Sequence, residues 1–176
     1  MRKHTRHMAH AAIIAALYAV LTHFQNILLP GSGTWAIQMR LSETLCILSF
    51  FTPAAAVGLS VGCLIFNLTY AGALPLDFLA GTLATYLAAK AMWHTRKYTL
   101  LGLPLAGLLM PALTNALLVG WELTLYLGET SFTMAAFWLN ALQVAIGELG
   151  VMYTLGWLLY RFLNRSGLAR RMFEDL

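Results

Sequence analysis

Residues 8–29 read MAHAAIIAALYAVLTHFQNILL, a run of 22 positions with no Asp, Glu, Lys or Arg. A helix needs about 20 mostly apolar residues to cross a hydrocarbon core ~30 Å thick, so this run has the length of a membrane span. Around it the uncharged stretch extends over 33 positions, His7 to Met39, and three more follow: Thr44–Leu76 (33), Tyr98–Trp121 (24) and Thr130–Gly147 (18). Of 176 residues 60% are hydrophobic and only 10% charged, where globular chains carry roughly a quarter charged residues. Too few charges remain to hydrate a surface, so lipid is part of the solvent. A soluble domain, a disordered chain, a nucleic-acid-binding module and a secreted disulfide scaffold are excluded on the same grounds.

Pro, Gly and charge divide the chain into spans near Met8–Leu29, Leu41–Val57, Gly58–Tyr70, Leu76–Trp93, Leu103–Tyr126 and Met134–Phe162. The third is short, fit to be tilted or packed inside a bundle. The expected fold is an all-α integral membrane protein of six transmembrane helices, a single domain over residues 1–176. Six spans return both termini to one side. Arg2, Lys3 and Arg6, then Lys90, Arg96 and Lys97, then Arg161, Arg165, Arg170 and Arg171 all fall on that side, which the positive-inside rule makes cytoplasmic. Arg40 is the exception. The first span resembles a signal peptide in its basic start, but its length and the lack of a small-residue cleavage site point to a retained helix. Cys46 and Cys63 fall inside spans without motif spacing and read as small buried hydrophobes. The Asn67-Leu68-Thr69 sequon lies inside a span, out of reach of glycosylation.

On the first span Ala11, Ala15 and Ala19 share one face, widened by Ala12 and Ala16. Small faces let helices approach closely in lipid; packing inside the bundle and docking of another membrane protein both fit. Gly58 and Gly62 form a second close-approach pair, read as internal. Ionisable groups in spans are costly and usually face a cavity or partner. Arg40 and Glu43, three apart, are placed to pair on one helix face. Asn67 ends the third span, Asp77 opens the fourth as a cap or a ligand contact, Asn115 and Glu122 share a face of the fifth, and Asn140, Gln143 and Glu148 descend the sixth. Nearly all sit in the outer half of the membrane, which points to a cavity open to the outside. Glu148, deepest and without a nearby base in its span, is the leading ligand contact, followed by Asn115 and Glu122. Trp35, Trp121 and Trp138 lie near the same level, as an interfacial belt or as walls for a flat heterocycle. His4, His7 and His10 read as a solvated basic tail, and no metal or cofactor is expected. No HExxH, GxSxG, P-loop or CxxC occurs, so the chain is expected not to be an enzyme, and uphill transport would need a gradient or another subunit.

The stretches Ile37-Gln38-Met39-Arg40-Leu41-Ser42-Glu43, Phe50-Phe51-Thr52-Pro53-Ala54-Ala55 and Gly62 to Asn67 resemble the QueT family of queuosine-precursor transporters. So do Leu76-Asp77 through Gly81-Thr82-Leu83-Ala84-Thr85, Asn115 through Trp121-Glu122, and Gly147-Glu148-Leu149 with Tyr153 and Gly156. Met39, where an aromatic is expected, and Gly81-Thr82, where Gly-Ser is expected, are departures. The resemblance implies the substrate-binding S-component of an energy-coupling-factor (ECF) transporter in the cell membrane. Such a subunit works with a transmembrane coupling subunit and two cytoplasmic ATPases, and its first-helix alanines are the docking feature. A 7-deazaguanine offers an N–H and an exocyclic amine to one carboxylate and a carbonyl to a donor. Glu148 or Glu122 is assigned to that edge, with Asn115, Asn140 and Gln143 around the ring. Rival readings are an S-component for another micronutrient or vitamin, and an intramembrane enzyme.

Overall fold

Proline lacks a backbone N–H, and Pro53 divides the long apolar run that follows the first span. The computed structural model describes residues 2–30, 32, 37–100, 102–127 and 132–173. Its elements are α1 (Arg2–Leu28), a 3-10 segment (Leu41–Phe50), α2 (Ala54–Thr69), α3 (Asp77–Thr95), α4 (Leu105–Leu108), α5 (Met110–Leu127), α6 (Met134–Val151), a π segment (Met152–Gly156), α7 (Trp157–Arg165) and α8 (Leu168–Phe173). The break between the second and third segments was expected at Val57–Gly58. It falls instead at Phe51–Pro53, where the Thr52 hydroxyl accepts the Ala54 N–H (3.2 Å) just before α2 begins. Gly58 and Gly62 are therefore interior to one continuous helix, and their role is contact rather than interruption.

That role is specific. A Cβ on Gly58 would lie 2.6 Å from the Ala11 carbonyl oxygen, and one on Gly62 would lie 2.6 Å from that of Ala15. The α1–α2 pair is thus a small-residue crossing of the kind that lipid-embedded helices use. Ala15 and Ala19 are buried and Ala11 is half-buried, while Ala12 and Ala16 stay exposed. The expected docking stripe Ala11, Ala15 and Ala19 is corrected accordingly: in this fold that face is taken up inside the chain.

The 3-10 segment sits at the centre, packed against α1, α2, α3, α6, α7 and the π segment, with Cys46 and Ile47 fully buried. Ten residues is long for this helix type; at 2.0 Å rise it covers about 20 Å, where an α-helix would cover about 15 Å. Around it α1 packs on α2, α2 on α3, α3 on α5 and α5 on α6. Among the described residues three helices are long and apolar enough to cross a membrane: Lys3–Leu28, Leu105–Tyr126 and Met134–Arg165. Leu41–Phe50 and Ala54–Thr69 are shorter apolar helices. The outside of the bundle is as apolar as its core, with Ile27 75% and Leu68 67% exposed, far beyond what a water-soluble surface carries.

Candidate ligand-binding site

Several hydroxyl groups inside these helices satisfy themselves. Thr22, Ser60, Thr85 and Thr124 each donate to the carbonyl four residues back, at 2.6–2.9 Å. A carboxylate has no proton to give and must find donors on other elements, so the buried carboxylates mark where elements converge. Glu43, Asp77, Glu122 and Glu148 come from four different segments and are all buried, with Glu43 and Glu122 wholly so. Arg40, 6% exposed, is the cation they share. It lies 4.0 Å from Asp77, and its charge reaches Glu43, Glu122 and Glu148.

Arg40 was expected to pair with Glu43. Arg40 instead precedes the 3-10 segment in extended backbone, off its helical register, and Glu43 accepts the Tyr18 hydroxyl (2.5 Å) and the Cys46 thiol (3.1 Å). Asp77 accepts the Leu74 N–H (2.8 Å), while its backbone carbonyl accepts the Asn67 amide (2.7 Å). It fastens the turn before α3 to α2 while facing Arg40, so the expected helix cap is replaced by a loop tie.

Two glycines make the convergence possible. Gly147, one residue before Glu148, meets the Gln38 backbone: a Cβ there would lie 2.7 Å from the Gln38 carbonyl carbon and closer still to its oxygen. The segment leading to Arg40 thereby crosses α6 directly beside Glu148. Gly81 on α3 leaves room for Asn67 and Arg40, whose nitrogens would be 3.0 and 3.7 Å from an added Cβ. Gln25 clamps the same segment from α1, donating to Ser32 Oγ (2.8 Å) and the Met39 carbonyl (2.5 Å) and accepting the Leu41 N–H (2.7 Å).

Several buried polar atoms at this level have no hydrogen-bond partner: both Glu122 carboxylate oxygens, Glu148 Oε2, Asn115 Nδ2, Asn67 Oδ1 and Ser42 Oγ. Glu122 lies against Asp77 and the Leu76 backbone without a hydrogen bond of ordinary geometry to either. Such groups cost about 1–3 kcal/mol each when left unpaired, more when charged, and concentrate where a ligand completes the set. A cavity of 10 Å³, room for about one water, opens beside Arg40 between Thr22, Gln25, Phe66, Tyr70 and Asp77.

The remaining candidates separate. Asn140 donates to Thr124 (3.0 Å), tying α6 to α5, and Gln143 is half-buried. Trp121 and Trp138 are 43% and 60% exposed; their outward-facing rings correct the expectation that they wall a ligand. Trp35 lies outside the described residues. The aromatic surface beside Arg40 and Asp77 is instead the stacked pair Phe66–Tyr70, with centroids 5.1 Å apart. Tyr18, Gln25, Phe66 and Tyr70 were not singled out from the sequence. Two of them had a partial signal, since Tyr18 and Gln25 fall with Thr22 at i, i+7 and i+4 on α1, a polar stripe within an apolar span.

No curated protein and no solved structure matches the chain. The family model described as QueT transporter matches residues 8–165. With nearly its whole length matched, the chain belongs to the QueT transporter family.

Proposed function

We propose that this transport protein is the substrate-binding S-component of an ECF importer. In this reading it has six spans and both termini in the cytoplasm, and it captures a queuosine precursor from outside for uptake driven by a separate coupling subunit and two ATPases. The observation that carries the substrate assignment is the buried cluster of one guanidinium and four carboxylates with orphaned oxygens on Glu122 and Glu148. Four buried carboxyl groups stand around one guanidinium, more than its single charge can neutralise. Such an excess favours a cationic ligand that also presents a guanidine-like edge. The aminomethyl 7-deazaguanine has both, its ring edge suited to one carboxylate in a bidentate pair and its ammonium to a second. Asn115 Nδ2 supplies a donor for the ring carbonyl, and the Phe66–Tyr70 pair a surface for its face. Asn67, Asp77, Arg40 and Glu43 hold these groups in place. Ala12 and Ala16, exposed on α1, are the part of the alanine pattern left for the coupling subunit.

Isothermal titration of the purified full chain with queuine and with its nitrile and aminomethyl precursors tests the reading. The aminomethyl form should bind more tightly than the nitrile. Glu122→Gln and Glu148→Gln should each weaken it at least about tenfold, as for loss of a charged hydrogen bond. Undiminished affinity in both variants refutes the site. Binding of a vitamin in place of all three deazaguanines refutes the substrate and leaves the transport assignment standing.

A further inference from the structure

We propose that the end of the bundle where α7 meets α8 holds an anionic phospholipid, with its headgroup in a pocket beside Arg165 and one acyl chain in the apolar groove above it. The pocket has a volume of 580 Å³ and is lined by Phe50, Phe51, Asn164, Arg165, Gly167 and Phe173, within the usual range of ligand sites. Its walls are fixed by packing. Phe51 stacks on Tyr160 (5.7 Å) and Phe50 meets the same ring edge-on (5.6 Å). Phe173 packs edge-on against His10 (5.3 Å), which holds α8 under α1.

The groove, 470 Å³, runs between α1, the 3-10 segment, the π segment and α7, along Leu21, Leu41, Leu45, Leu155, Leu158 and Phe162. The α7 part of its wall leads toward the pocket, because Leu158, Phe162 and Arg165 recur at i, i+4 and i+7 and so share one helix face. From Leu158 to Arg165 that face is about 10 Å long at 1.5 Å per residue, within the ~15 Å depth of one leaflet of a ~30 Å hydrocarbon core.

Charge selects the lipid. Residues 157–173 contain Arg161, Arg165, Arg170 and Arg171 and no Asp or Glu. Arg161 stands over the Trp157 ring at 4.5 Å, and Arg165 lines the pocket itself. A guanidinium fork matches a phosphodiester, and basic pockets at the cytoplasmic ends of membrane helices take anionic headgroups. A free phosphate would meet the same guanidinium but leave the groove unmatched; a zwitterionic lipid would fill the groove without answering the charge.

Native mass spectrometry of the full chain from mild detergent distinguishes these occupants, using phosphatidylglycerol and phosphatidylcholine of identical acyl chains and, separately, inorganic phosphate. Phosphatidylglycerol should be retained at least about fivefold better than phosphatidylcholine, the contribution of one basic residue near a membrane surface. Arg165→Gln should remove about that factor, and Arg165→Lys should keep most of it. Leu158→Phe, on a residue 56% exposed and so tolerant of change, should lower retention of both lipids and leave their ratio intact. An unchanged melting temperature for Arg165→Gln would confirm that the fold is not what was lost. Equal retention of the two lipids by the unaltered chain, or an unchanged ratio in Arg165→Gln, overturns the proposal. Phosphate that saturates the protein and excludes phosphatidylglycerol reassigns the pocket to a free anion. A large gain in lipid binding on deleting residues 174–176 reassigns it to the chain's own acidic end.

Discussion

Replacing Gly147 with Ala adds one methyl group at the place where α6 and the segment before Arg40 touch. Side-chain Cβ atoms essentially never approach a neighbour within 3.0 Å, yet this one would lie 2.7 Å from the Gln38 carbonyl carbon and nearer to its oxygen. The neighbour is backbone, clamped from the far side by Gln25 through Met39 and Leu41, so no flexible side chain can swing aside. Overpacking of this kind costs about 1–3 kcal/mol, against a helix-interior gain for Gly→Ala of roughly 0.5–1 kcal/mol. Gly150 provides the internal control. It lies three residues further along the same helix, and a Cβ there would meet nothing within 4 Å, so Gly150→Ala should show the gain alone. The two variants should therefore differ by about 1–3 kcal/mol in opposite directions from the unaltered chain. Thermal unfolding of ligand-free protein in detergent reads this directly, with Gly147→Ala melting lower and Gly150→Ala equal or higher. Ligand affinity should fall in Gly147→Ala as well, because Arg40 moves with the displaced segment. A Gly147→Ala protein that melts with Gly150→Ala would refute the close crossing and the placement of Arg40 beside Glu148 that rests on it.

Tyr18→Phe deletes the hydroxyl that donates to Glu43 at 2.5 Å and leaves a buried carboxylate short of one donor, so it should destabilise by about 1–3 kcal/mol in the same melting assay. Arg40→Gln removes the cation shared by four buried carboxylates and should cost about 3–5 kcal/mol, with poor folded yield; adding Asp77→Asn should recover part of that loss, and an additive or worse double variant would place the pair's coupling elsewhere. Trp121→Ala and Trp138→Ala, on rings 43% and 60% exposed, should leave ligand affinity within about twofold of the unaltered chain, since single exposed side chains away from a site rarely matter by more than ~0.5 kcal/mol.

Charge and hydropathy carried the large features because lipid punishes misplaced ions so heavily: each long uncharged run holds a helix or most of one, and Arg40, Glu43, Asp77, Glu122 and Glu148 all prove buried. What the sequence did not show was local geometry. Spacing rules assume an α-helix, so Arg40 and Glu43 looked like partners. Arg40 lies just before the 3-10 segment in extended backbone, so helical spacing does not reach it, and the partners come from elsewhere in the chain, Tyr18 for Glu43 and Asp77 for Arg40. The alanines of α1 left packing and docking both open for a related reason, since composition marks a smooth face without saying what meets it. Gly58 and Gly62 hold the answer, four apart on α2 and matched to Ala11 and Ala15, four apart on α1. Seen with its partner, that face of α1 changes character along its length. Its first half is small where α2 crosses, and its second half, at Tyr18, Thr22 and Gln25, is polar where the 3-10 segment begins. One helix face thus does two jobs in sequence: the close crossing fixes the rotation of α1 in lipid, and that rotation aims Tyr18 at Glu43 and Gln25 at the backbone on either side of Arg40. A bulky residue at Gly62 would therefore disturb ligand binding from the opposite half of the helix, without touching the carboxylates.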